Sequence, residues 1–212
     1  MPSDPFPGSG GAAAKLALRD QLLTRRNRRS LAEVGACARA LATHLLAAPE
    51  VRRAATVAAY VSIGTEPGTG HLLDGLEEAG KRVILPVLLP DGDLDWAPYR
   101  GEGTLVPARR GLLEPVSERL GPDAVATADV VLVPGLAVGP DGLRLGRGGG
   151  SYDRALARVP AGTFTCVLLY DDEVGLDDVP AEPHDRPVVA AASPAGITVL
   201  GPGPTPPPPG SA

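Results

Sequence analysis

The chain has 212 residues, 43% hydrophobic but only 3% aromatic, with 20 lysine and arginine residues against 25 aspartate and glutamate residues and a formal charge of −5. That length suits a single domain whose core is built from Ala, Val and Leu rather than from rings. The acidic balance argues against a general nucleic-acid or anionic-membrane binder, and no basic-then-apolar leader or run of about twenty apolar residues is visible, so a cytoplasmic monomer acting on small molecules is expected. Residues 1–11 are rich in Pro, Gly and Ser and are expected to be a disordered tail; residues 12–200 then form the one domain. Strong helix formers fill 12–29, where "RRNRR" (25–29) reads as a solvated face, and Ser30 with Glu33 has capping-box spacing for a second helix reaching about Ala48. Residues 55–63 are continuously apolar and β-branched, as in a strand buried on both faces. A helix from Thr69 to Gly80 and a strand at "RVILP" (82–86) follow, while 87–120 alternates too briefly for anything but hairpins or an insertion. Trp96 and Tyr99 in that segment suit core or hairpin packing, although a ligand wall is the competing use. Apolar strands at 129–138, 164–170 and 187–193 and a helix starting near Ser151 complete an alternation of strands and helices. The fold class is therefore α/β, three-layer, with a mostly parallel sheet and flanking helices. Residues 201–212 are a second expected disordered tail, Pro-rich.

Cys37 and Cys166 stand far apart with no CxxC pattern and no adjacent His, so buried free thiols are expected rather than a zinc or redox site. His44, His71 and His184 lack partners at metal-ligand spacing and are read as structural.

The stretch "GLRLGRGGGSYDRAL" (142–156) lies between a strand and a helix. Glycines there let the backbone approach a phosphate, and Arg144 and Arg147 can supply charge in a planar, permanently ionised fork. It is neither a P-loop, since no Gly-Lys-Ser/Thr follows, nor a GxGxxG dinucleotide fingerprint. As a glycine cluster alone it is as consistent with a tight structural turn as with a phosphate cradle. Lys15 and Arg19, spaced i, i+4, share one helix face and can point at one anion, although a solvated face explains the same spacing.

The same stretch resembles the signature of the 5-formyltetrahydrofolate cyclo-ligase (5,10-methenyltetrahydrofolate synthetase) family, in which an RLG, a glycine run and a YD pair precede a helix. "KLALR" (15–19), "SIGTEPGT" (62–69), "GLLEP" (111–115), "VVLVPGLAV" (130–138) and "PAEPHDRPV" (180–188) resemble further family segments in the same order, so the resemblance spans about residues 14–195. It implies the three-layer fold shared with sugar-phosphate isomerases and CoA transferases, and a reaction in which ATP and Mg²⁺ convert 5-formyltetrahydrofolate, possibly polyglutamylated, to 5,10-methenyltetrahydrofolate with release of ADP and phosphate. In the family chemistry the formyl oxygen is phosphorylated and N10 then closes the ring.

Carried over residue by residue, the resemblance implies that Lys15, Arg19, Arg144, Gly146, Arg147, Gly148, Gly149, Gly150 and Tyr152 bind ATP, with Arg147 and Lys15 acting in catalysis. It assigns Glu66 and Tyr152 to the folate, and Asp153 and Asp185 to magnesium. Bland readings stand beside each: a surface ion pair for either arginine, a first-turn acid for Asp153, and an ordinary loop acid for Glu66. Glu114 is expected to hold position only. Ser151 replaces the first of two tyrosines usual in the family, so any role of that ring is absent here. The alternative is a non-catalytic folate- or nucleotide-binding protein on the same fold.

Overall fold

The computed structural model describes residues 9–201, so the expected tails lie almost wholly outside the described residues. Helix α1 (Ser9–Arg26) begins three residues before the expected position. Helix α2 (Leu31–Ala47) starts on the expected capping box: Ser30 Oγ accepts from the Glu33 amide at 3.2 Å, and Glu33 Oε2 accepts from the Ser30 amide at 2.7 Å. A short α3 (Pro49–Arg53) follows. Strand β1 covers only Thr56–Ala58 of the expected 55–63. The chain leaves the sheet there because side chains take over its backbone groups: the Ser62 amide donates to Thr69 Oγ1, the Thr69 amide to Ser62 Oγ, and the Ile63 amide to Glu66 Oε2. Helix α4 (Gly70–Glu78) stops before Gly80, whose φ of +71° terminates it.

The 87–120 segment contains two hairpins, as expected. Strands β2 (Arg82–Leu88) and β3 (Leu94–Pro98) form one, and β4 (Leu105–Pro107) and β5 (Leu113–Pro115) the other. Glu114 Oε1 accepts from the Leu88 amide at 2.9 Å and ties the second hairpin to the end of β2. After β6 (Val130–Pro134), a ribbon of β7 (Ala137–Val138) and β8 (Arg144–Leu145) delivers the chain to the glycine-rich loop and then to α5 (Ser151–Ala157). Strands β9 (Phe164–Leu168), β10 (Ala190–Ser193) and β11 (Gly196–Val199) complete the sheet.

The seven-stranded sheet has the order β11-β10-β9-β6-β1-β2-β3; its five inner strands are parallel and the edge strands β3 and β11 antiparallel. Alternate strand residues enter opposite core layers. Val57, Val130, Leu132, Cys166 and Leu168 pack with α2 and α4, whereas Ala58, Val131, Val133 and Val167 pack beneath α5 with Trp96. Burial on both faces is why these strands read as unbroken apolar runs. Leu41, Leu45, Leu72 and Leu76 are fully buried in the first layer, each contributing about 1.5–3 kcal/mol of burial free energy. Trp96 and Tyr99 belong to the core, and both cysteines are buried free thiols pushed up to about 12 by burial, which makes them poor nucleophiles. Among the described residues no helix is long and apolar enough to cross a membrane.

Beyond β1 the chain continues to β2 and β3 on one side, whereas β6 leads to β9, β10 and β11 on the other. The order in which strands are added therefore reverses between the parallel strands β1 and β6, where open α/β sheets form a crevice at the strand carboxyl ends. One glycine shaping the approach has no substitute. Gly142 has φ +84°, its carbonyl accepts from the Val188 amide, and an added Cβ would sit 2.3 Å from the Val188 carbonyl oxygen. Gly142→Ala is expected to destabilise the fold by about 2–3 kcal/mol. An unchanged urea midpoint would contradict this.

Candidate active site

A cavity of about 390 Å³ opens at that reversal point. Its walls are Tyr60, Val61, Ile63 and Glu66 beyond β1, Pro134 and Gly135 at the end of β6, and residues 146–153 of the glycine loop and first turn of α5. The hairpins add Leu88, Leu94 and Leu112, while Lys15 and Arg19 of α1 and Glu182, His184 and Asp185 enter from the far ends of the chain. Every residue expected at the site thus lines one cavity, including Lys15, Arg19, Glu66, Arg144, Gly146, Arg147, Gly148, Gly149, Gly150, Tyr152, Asp153 and Asp185.

The helical spacing of Lys15 and Arg19 brings both to the cavity, Lys15 onto Glu182 and Asp185 and Arg19 onto the loop. Arg19 Nε donates to the Gly146 carbonyl at 2.9 Å, and its guanidinium lies where a Cβ on Gly148 would meet it at 3.5 Å. Gly148 and Gly150 have φ of +96° and +65°, the conformation that lets this loop curl without side chains. Among the described residues, the amides of 146–150 donate no backbone hydrogen bond. A run of unpaired N–H groups beside two cations is a surface suited to an anion.

Lys15 is buried, its ammonium 2.6 Å from Glu182 Oε2 and 2.7 Å from Asp185 Oδ2. The hydrogen bond and charge of Lys15 hold the Glu182 carboxyl below the usual carboxylate range. Asp185 Oδ2 also accepts from the Glu182 amide at 2.7 Å. His184, 65% exposed, brings its ring to 3.7 Å from Glu182 and 3.8 Å from Asp185, and the three offer ligand atoms within 4.8 Å of one another. This corrects the reading of His184 as a residue without partners at ligand spacing. The sequence carries that signal as Glu-x-His-Asp at 182–185.

Asp153 lies next to this group without joining it. Its Oδ1 accepts from Arg144 Nη2 at 3.0 Å and from the amide of Arg186, the residue after Asp185, at 3.2 Å. Arg144 is itself buried, sits 5.9 Å over the Tyr152 ring, and has its pKa lowered by desolvation. Arg147 is the exposed arginine of the loop: its side chain is 46% accessible, and Nε lies 3.1 Å from Oε1 of Glu66, which is 6% accessible. Burial, followed by the Glu66 charge, raises the Tyr152 phenol, so it remains protonated. Ser151 Oγ donates to the Gly92 carbonyl, fastening the loop to the turn between β2 and β3.

The solvated-face reading of 25–29 fails for Arg26, which is wholly buried. Its Nε and Nη2 each donate to the Glu173 carboxylate at 2.7 Å, and Nη2 also reaches the Gly135 carbonyl at 2.7 Å. Arg29 stacks 3.9 Å from the Tyr170 ring centroid and pairs with Asp172. The last turn of α1 lies against the ends of β6 and β9, and partners 147 residues away leave no local pattern.

Comparison with known proteins agrees with this geometry. The model of the 5-formyltetrahydrofolate cyclo-ligase family matches residues 12–194. A 5-formyltetrahydrofolate cyclo-ligase of Mycolicibacterium smegmatis is 47% identical over 151 residues, covering 68% of this chain and 77% of that protein. One from Escherichia coli is 34% identical over 158 residues, 74% of this chain and 87% of that protein. The solved structure of Aquifex aeolicus 5,10-methenyltetrahydrofolate synthetase superposes with a TM-score of 0.75 at 27% identity, covering 90% of this chain and 95% of that one. With nearly its whole described length matched and the fold shared, the chain belongs to the 5-formyltetrahydrofolate cyclo-ligase family.

Proposed function

We propose that this protein converts 5-formyltetrahydrofolate to 5,10-methenyltetrahydrofolate, using ATP and magnesium and releasing ADP and phosphate. The observation that carries the reading is one cavity lined by Lys15, Arg19 and a glycine loop whose amides are unpaired among the described residues, with Arg147 of that loop bonded to a buried Glu66. A formyl oxygen on N5 is a poor leaving group, so transfer of the γ-phosphoryl group to it makes it dischargeable. N10 of the same molecule then attacks the formyl carbon and phosphate departs. That chemistry asks mainly for positioning and charge neutralisation, which accounts for cations, glycines and carboxylates in place of a nucleophile and its base.

The residues fit a nucleotide triphosphate: the curled loop from Gly146 to Gly150 is open to an anion, and a Cβ at Gly148 would fill the space against Arg19. Lys15, Arg19 and Arg147 would meet its charge directly, while buried Arg144 orients Asp153 and stacks on Tyr152. A divalent cation fits Asp185 and Glu182, with Asp153 alongside; magnesium prefers such oxygens to the His184 ring. When bound it would offset phosphate charge and polarise the transferred group. Glu66, with Tyr152, would accept the N–H groups of the pterin.

In this reading two of the three cations are already paired with carboxylates assigned to other ligands, Lys15 with Asp185 and Glu182 and Arg147 with Glu66, while Arg19 is held by the Gly146 carbonyl. Ligand binding therefore exchanges partners instead of meeting bare charges, which keeps the site stable while empty. Arg147→Ala is expected to raise the KM for ATP at least about tenfold and to lower turnover, while folate affinity holds or improves because Glu66 is released. Turnover equal to wild type would sink the assignment of Arg147.

A further inference from the structure

The charged group that the proposed chemistry does not use is the buried cluster of Arg26, Glu173 and Tyr170. Burial works against the Arg26 charge, yet the two-pronged pairing with Glu173 holds its pKa above the ordinary guanidinium value. The cluster's outward contacts are with backbone. Arg26 Nη2 donates to the carbonyl of Gly135, a cavity wall at the end of β6. The Tyr170 hydroxyl donates at 3.2 Å to the carbonyl of Thr65, the residue before Glu66 in the loop beyond β1. Glu173 closes the set, since its Oε2 also accepts from the Tyr170 amide at 3.0 Å, and the Arg26 guanidinium lies 5.5 Å from the Tyr170 ring centroid. Arg29 covers the same ring at 3.9 Å.

We infer that Arg26, Glu173 and Tyr170 form a positioning brace that sets the two cavity walls, Gly135 and the Thr65–Glu66 turn, at a fixed separation across the point where the sheet reverses. None of the three touches a reacting atom. Their effect passes through Glu66, whose carboxylate meets Arg147 and is presented by a turn with few other anchors: the Ile63 amide donates to Glu66 Oε2, and the Glu66 amide to the Ile63 carbonyl. Those bonds hold the turn to itself, and the Ser62–Thr69 exchange holds it to α4. The Tyr170 hydroxyl holds it to the end of β9. A binding group must be held to a fraction of an ångström to be useful, and such precision comes from contacts behind the group.

The functional part of this inference rests on Glu66 meeting the folate, whereas the structural part does not, and the test separates them. Tyr170→Phe removes one hydroxyl and keeps the ring beneath Arg29, so the fold should survive. Hydrogen exchange of the ligand-free protein is then expected to quicken at the amides of 62–66 and stay unchanged at 146–150. Steady-state kinetics should show KM for 5-formyltetrahydrofolate rising about fivefold, as loss of one hydrogen bond allows, with KM for ATP within about twofold of wild type. Unchanged exchange at 62–66 overturns the brace, and so does an equal rise in both KM values, which would mark a general loosening of the fold. Should the wild-type protein fail to turn over folate, the reading of the function falls, and the exchange comparison still decides the brace because it requires no ligand.

Discussion

Lys15→Met is expected to lower kcat by about 10²–10³-fold, the loss seen when one preorganised group that stabilises transition-state charge is removed from a water-excluded site. Lys15 is a buried cation of the cavity, held by Glu182 and Asp185 at 2.6 and 2.7 Å, and no other lysine is near enough to replace it, since Lys81 bonds to the carbonyls of Arg52 and Ala54. The substitution has a second, opposite consequence. Without the ammonium, two carboxylates face each other unneutralised, so the pair should attract a divalent cation more strongly. Added MgCl₂, in the absence of nucleotide, should therefore raise the melting temperature of the variant more than that of wild type. A variant with kcat within a few-fold of wild type would reduce Lys15 to a structural ion-pair partner.

The largest stability effect is expected at Arg26. Arg26→Ala leaves the Glu173 carboxylate buried with no counter-charge and should cost about 3–5 kcal/mol, enough to lower the denaturant midpoint steeply. The cost arises from stranding one charge more than from losing the pair. Replacing both residues together, Arg26→Met with Glu173→Met, should recover most of the loss, because methionines of similar length fill the space without a desolvated charge. If the single variant loses under about 1 kcal/mol, the pair is not the buried, two-pronged contact described here. If the double variant is worse than the single one, the cost lies in the backbone groups left without partners, the Gly135 carbonyl and the Tyr170 amide, and not in the stranded charge.

What the sequence revealed and what it concealed follow from the range of the forces involved. The alternation of strands and helices was legible because strands buried on both faces must be apolar throughout, as Val130–Val133 and Cys166–Leu168 are. The start of α2 was legible because a capping box is a contact between residues three apart. The end of β1 was not: apolar character continues through Tyr60 and Val61 because they line a cavity, while side-chain bonds from Ser62, Glu66 and Thr69 draw the backbone away from the sheet. The burial of Arg26 and that of Lys15 are concealed in the sequence for the same reason. Both are cations on one helix, and burial depends on Glu173 in one case and on Glu182 and Asp185 in the other, all far along the chain. Arg144 and Arg147 look alike in sequence, yet one is buried on Asp153 and the other is half-exposed over Glu66, a difference set by strand β8 ending between them. Ser151, the departure from the family pattern, uses its hydroxyl to hold the loop to the β2–β3 turn.

The proposed reaction requires the cavity to join a nucleotide to a folate, and an absorbance experiment decides whether it does. The purified protein is mixed with 5-formyltetrahydrofolate, ATP and Mg²⁺, and the near-ultraviolet spectrum is followed while each component is omitted in turn. The predicted result is the methenyltetrahydrofolate spectrum appearing only when all are present. Product formed without ATP would contradict the phosphoryl-transfer reading. No product from folded protein that binds both ligands would instead identify a binding protein that keeps the family's site without its chemistry.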